Sequence, residues 1–130
     1  MAFNLEEKYV AAAEEALQAR LPDSYRSALQ TENGGEVFAG NDWWELHPIS
    51  DSSNRKRLSR SSNDIVRETA SMREWTNWPA GALAIAQNGT GDALVLLKKA
   101  SSFEPQVYVW KHEDGDLTEV AGDFSELERA

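Results

Sequence analysis

The chain has 130 residues and a mass of 14.5 kDa, with 41% hydrophobic and 27% charged residues. That balance fits a folded chain and excludes a disordered composition. The 13 basic and 22 acidic residues give a net charge of −9 and a pI near 4.7, which argues against the basic face that duplex nucleic acid requires. Cysteine is absent, so disulfides, thiolate nucleophiles and cysteine-containing zinc sites are excluded.

The opening Met1–Lys8 has neither a basic nor an apolar region of the kind a secretory leader needs. The longest strictly apolar run, Ala93 to Leu97, is far shorter than the ~20 residues that span a bilayer. These features lead to the expectation of a cytoplasmic protein without membrane contact.

Taken in chain order, Asn4 and Glu7 have the spacing of a capping box. Leu5, Tyr9, Ala12, Ala13, Ala16 and Leu17 then recur at helical spacing, which predicts a first helix ended by Leu21-Pro22. A second helix is predicted from Asp23, with Tyr25, Ala28 and Leu29 on one face. Asn33-Gly34-Gly35 should stop it, because Asn and Gly accept the left-handed conformation of a helix C-cap.

The period then changes from helical to alternating. Trp43 to Ile49 reads as a strand with Trp44 and Leu46 on one face and Trp43, Glu45 and His47 on the other. Ser50 to Asn63, rich in serine and carrying Arg55, Lys56, Arg57 and Arg60, reads as a long solvated loop. A third helix is predicted near Asn63, with Ile65, Val66, Thr69 and Met72 inward. Strands follow at Leu83–Ala86, Ala93–Leu97, Gln106–His112 and Leu117–Ala121. Asn88-Gly89 and Asp114-Gly115 supply antiparallel turns, and Asp123–Leu127 a capped terminal turn of helix. Consecutive strands joined by such turns predict an α+β fold, with N-terminal helices packed on a mainly antiparallel sheet in one domain over residues 1–130.

Catalytic patterns are weak. Asn88-Gly89-Thr90-Gly91-Asp92 lacks the Lys-Ser/Thr of a phosphate loop and leads into a strand rather than a helix. His47 and His112 have no helix-spaced partner, and there is no Gly-x-Ser-x-Gly elbow. The chain is therefore not expected to be an enzyme, and no metal or cofactor is implied. Asp92 reads either as a turn acceptor or as a surface charge.

The candidate partner-binding residues are Trp43, Glu45, Glu113, Asp114 and Asp116. Trp43 is either an exposed anchor or covered by a helix or by the 50s loop. Tyr108 and Trp110 alternate with Val107 and Val109, so both faces of their strand are apolar and something must cover each. Seven acids against the single base Arg129 from residue 113 onward form either a solubilising surface or a face matched to a basic partner.

Several of these pieces together resemble a known family. They are Leu21-Pro22-x-x-Tyr25, Leu29, Asn33-Gly34-Gly35, Trp44-x-Leu46-x-Pro48-Ile49, Asn88-Gly89-Thr90-Gly91-Asp92, Val107-Tyr108-x-Trp110 and Phe124-x-x-Leu127. In this order they resemble the Smi1/Knr-type domains of the SUKH superfamily, from about Glu7 to Leu127. The resemblance implies architectural roles for Leu21, Pro22, Tyr25, Asn33, Gly34, Gly35, Asn88, Gly89, Gly91 and Asp92. For a bacterial member it implies an immunity protein that binds and neutralises a toxin, often a nuclease, and the acidic charge of this chain adds the expectation that the toxin domain is basic. For a eukaryotic-type member it implies an intracellular interaction module unrelated to toxins.

Overall fold

The computed structural model describes residues 3–130; Met1 and Ala2, the first residues of the segment read for a leader, lie outside them. The first layer is a pair of helices, α1 (Glu7–Leu17) and α2 (Asp23–Thr31). α1 buries Val10, Ala13 and Leu17 at helical spacing, whereas Ala12 and Ala16 of the expected stripe are exposed. The expected capping box does not form. α1 begins at Glu7 with Glu6 in the cap position, so Asn4 lies too early to cap it. Asn4 instead accepts hydrogen bonds from Arg57, and Glu7 turns to Arg26. Arg26 of α2 also reaches Glu14, which ties the two helices together. α1 ends at Gln18, whose φ of 57° is left-handed, and α2 ends at Glu32, which is extended. The stop after α2 is therefore made by an extended residue, with positive φ appearing only at Gly34 and Gly35.

Asn33 has a different task from the expected cap. Its side chain donates to the Ile49 carbonyl and accepts from the Ile49 amide, both at 2.8 Å. The amide thus substitutes for a strand neighbour and fixes the segment that follows the second strand.

The second layer is a seven-stranded sheet, antiparallel throughout, in the order β8-β7-β4-β3-β2-β1-β9. Its strands are β1 (Glu36–Ala39), β2 (Asp42–Leu46), β3 (Leu83–Gln87), β4 (Ala93–Leu96), β7 (Val107–Trp110), β8 (Leu117–Ala121) and β9 (Glu128–Arg129). A separate two-stranded ribbon pairs β5 (Lys98–Lys99) with β6 (Ser102–Phe103), and Arg20 bonds to its backbone. β1 was not anticipated. It joins β2 through Gly40 and Asn41, at φ 57° and 68°, the conformation that matches the twist of a two-residue hairpin.

The 50–63 segment is exposed over most of its length, as expected, but it is not a loop throughout. It contains the helix α3 (Arg55–Arg60), capped by Asn54, whose side chain accepts from the Arg57 amide at 2.9 Å. Arg57 bonds both Asp51 and Asn4, and its guanidinium lies 4.7 Å from the Phe3 ring centre. Asp51 and Ser61 are buried and bonded to each other. Local capping and one arginine cross-link give the segment a fixed form.

α4 (Ile65–Met72) starts at Asp64, whose carboxylate accepts from the Val66 and Arg67 amides. Ile65 and Thr69 are buried beneath it, and Thr69 Oγ1 accepts from the Ala84 amide at a bulge in β3. A short 3₁₀ turn, Phe124–Glu126, is capped by Asp123 and docks Phe124 edge-on against Tyr25. Inward-facing residues of the sheet (Val37, Trp44, Leu46, Leu83, Ile85, Leu94, Leu96, Val107 and Val109) meet the helices in the main core.

Candidate protein-interaction surface

The pleat of β1 and β2 sends alternate residues to opposite faces. Val37 and Trp44 enter the core, where Trp44 Nε1 donates to the Ala39 carbonyl at 2.9 Å. Phe38 and Trp43 go outward as directly opposed neighbours, with ring centres 5.3 Å apart at 61°. They are 36% and 40% exposed, and neither a helix nor the 51–62 segment covers them. Edge-to-face geometry of this kind holds two rings in a defined orientation.

Carboxylates flank the pair. Glu45 lies opposite Glu36, and Glu128 of β9 lies opposite Phe38, so all three share the outer face with the rings. Of the nearby cations, Arg129 is turned away to Glu32 and the Gly34 carbonyl, while Arg60 lines the depression beside Glu36 and Glu45. The result is an apolar centre with an acidic rim. Its chemistry suits a surface that combines aliphatic or aromatic side chains with basic ones.

Elsewhere on the same face the sheet is covered. Trp110 and Tyr108 of β7, Ala93 and Val95 of β4 and Leu117 of β8 form a second apolar cluster beneath Met72, Trp78 and Ala82. Trp110 is fully buried; its Nε1 donates to the Asn77 carbonyl at 3.1 Å, and Trp78 packs on its ring at 4.9 Å. Val107 and Val109 face the helices, so the two apolar faces of β7 have different covers.

Between the open and covered regions runs a groove of about 550 Å³, bounded by α4, Trp75 and the Asn88–Asp92 loop. His47, the third member of the Trp43, Glu45, His47 alternation, is only 4% exposed where α4 begins over it. Burial pulls its pKa from 6.5 down to about 4, so its ring is neutral near pH 7. The Asn88–Asp92 loop is a turn, as its glycines imply, but a longer one than a two-residue hairpin. Asp92 accepts from both the amide and Nδ1 of His112, the latter at 2.6 Å. Burial raises the Asp92 pKa, but the His112 bonds and Lys111 outweigh it and hold the carboxyl below its usual range.

Glu113, Asp114 and Asp116 occupy the turn after β7, and β3 and β4 separate that strand from β2. Asp114 accepts from the Asp116 amide and Asp116 from the Thr118 hydroxyl, so both carboxylates also shape the turn. The structure therefore groups Trp43 and Glu45 with Phe38, Glu36 and Glu128, whereas the 113–116 acids lie on the turn between β7 and β8. Phe38 and Glu36 were not singled out from the sequence, and Glu128 only as one of the seven acids after residue 113, although Gly40-Asn41 is the hairpin signal that would have placed Phe38 opposite Trp43. Among the motif residues, Leu21 and Tyr25 are core, and Asn33 is the clamp on Ile49.

The architecture and the open, charged aromatic face together describe an α+β domain with the features of a protein-interaction module. The sequence matches the SMI1 / KNR4 family (SUKH-1) over residues 4–129, and the chain belongs to that family. This family is generally a non-catalytic protein-interaction fold. No curated protein matches the chain. Among the described residues no helix is long and apolar enough to cross a membrane.

Proposed function

We propose that this chain is a cytoplasmic bacterial immunity protein that binds a basic toxin domain, such as a nuclease, and neutralises it without catalysis. One observation carries the reading: the outer sheet face leaves Phe38 and Trp43 uncovered inside a rim formed by Glu36, Glu45 and Glu128. Family membership supports it, since immunity proteins are the expected bacterial form. Aromatic anchors supply affinity at such a surface, while the net charge of −9 speeds approach to a positively charged partner. The acidic turn at Glu113, Asp114 and Asp116 contributes to that steering field from outside the contact.

The test uses the purified chain and the product of the gene adjacent to its own, which the proposal expects to be a toxin. Stoichiometric inhibition is expected, with roughly 1,600 Å² of total surface buried in the complex. The association rate should fall as salt rises from 50 to 500 mM, because charges separated by more than about 8 Å are screened at physiological strength. Absence of inhibition at equimolar toxin overturns the reading, and a salt-independent rate overturns the steering.

A further inference from the structure

We infer that the groove between α4 and the Asn88–Asp92 loop seats one basic side chain, an arginine or a lysine, of the docked partner. The inference rests on the proposed docking face and names the chemistry of its neighbouring pocket.

Position is the first argument. Gln87 lines the groove and is the register partner of Glu45, whose Oε1 accepts from Gln87 Nε2 at 3.4 Å. A partner lying on Phe38 and Trp43 therefore meets the groove one strand further on. Asn63 lines both this groove and the depression that Glu45 lines, so the two hollows adjoin at Asn63.

The lining supplies the second argument. Its volume of about 550 Å³ is in the range of sites that take a small ligand, about 300–1,000 Å³. The short side chains of Ala84 and Ala93 give it depth, and Met72 adds an apolar wall suited to a methylene stem. Two carboxylates, Glu68 and Asp92, reach it from opposite elements, and no lysine or arginine lines it.

Both acids have capacity for a cation. Among the described residues Glu68 has no hydrogen-bond or ion-pair partner for its carboxylate. Asp92 Oδ1 is used by His112, but Oδ2 has only the exposed Lys111, at 3.6 Å. Trp75, 42% exposed, completes the wall with an indole that a guanidinium or ammonium can approach. His47 is also in the wall, buried, with Nδ1 lacking any hydrogen-bond partner. A neutral imidazole adds no opposing charge there.

The experiment titrates the isotope-labelled full chain with N-acetyl-arginine-N-methylamide and, separately, with the uncharged norleucine analogue, followed by NMR. The arginine probe should shift the Trp75 indole and the Gly89, Thr90 and Gly91 amides saturably in the millimolar range, and the norleucine probe should not. Glu68→Gln should weaken the arginine probe at least fivefold, and Glu68→Lys should abolish it. Trp43→Ala should leave probe affinity within twofold. Equal binding of both probes, shifts spread over the acidic turn instead, or an unchanged affinity in Glu68→Gln overturns the inference. Loss of toxin inhibition with probe binding intact counts against the docking face alone. Toxin inhibition that persists without probe binding counts against the groove alone.

Discussion

Trp110 and Trp43 stand on the same outer face of one antiparallel sheet, yet one is fully buried and the other 40% exposed. The difference is the reach of one segment. α4 and the chain from 73 to 82 cover β3, β4, β7 and β8 and stop short of β2 and β1. Along β2 the boundary falls within two residues, since Glu45 is exposed and His47 is buried under the start of α4. Strand propensity and aromatic character are alike in the two regions. Only the covering layer separates a second core from a docking face.

Substitutions can break this contrast. The largest effect is expected for Trp110→Ala, which should cost about 3–5 kcal/mol in urea unfolding, because it leaves a cavity under Trp78 and Trp75. A cost below about 1 kcal/mol would mean that the cover does not depend on this ring.

Acid should weaken the boundary itself. His47 binds its proton more readily in the unfolded chain, at pKa 6.5, than in the fold, at about 4. Between those values the unfolded state holds more protons, so stability rises with pH and is fully present above pH 6.5. Falling pH should remove up to about 3 kcal/mol across this window. Asp51, Asp92 and Asp123, whose carboxyls lie below the usual range, lose their contribution only at lower pH, from about 4 downward. Urea melts at pH 7.5, 6 and 5 should show the decline, and His47→Gln should flatten it.

Trp43→Ala should reverse the Trp110 pattern. Stability should change by less than about 1 kcal/mol, while toxin affinity should fall by about 2 kcal/mol, or roughly thirtyfold. Unfolding of the variant would place Trp43 in the core. A double-mutant cycle with Phe38→Ala should give a coupling of about 0.5–1.5 kcal/mol for the edge-to-face pair. The smallest effect is expected for Glu45→Gln, with a change in stability within about 0.5 kcal/mol and a modest slowing of association.

Much of this architecture was legible in the chain. β3, β4, β7 and β8, α4 and the terminal turn follow from alternation, helical spacing and caps that act over a few residues, whereas the two-residue strands β5, β6 and β9 are too short to carry a period. The two faces of β2 were legible for the same reason, because the pleat fixes direction whatever packs outside it. The misses have local causes. Glu36–Ala39 is only four residues long, and its signal lay in Gly40-Asn41 rather than in its own composition. α3 was hidden by a composition of serine and base, although Asn54 is a cap. Asp51 and Ser61 are polar, and their burial follows from bonds that no pattern announces: the Ser61 hydroxyl accepts from the Asp51 amide, and the Asp51 carboxylate from the Ser53 amide and Arg57. Asn4 and Glu7 had the right spacing for a box, but each found a longer-range arginine instead.

From its amino acids alone, the chain specified its longer helices and strands, the inward and outward sides of β2 and the excess of negative charge. These are properties of near neighbours and of sums, which need no knowledge of what lies across the fold. Tertiary packing decided that Trp43 would be open and Trp110 closed, that His47 would be neutral, and that Glu68 and Asp92 would share one groove. Burial and the meeting of distant carboxylates depend on where a third layer ends, and that edge is set only when all the layers have packed together.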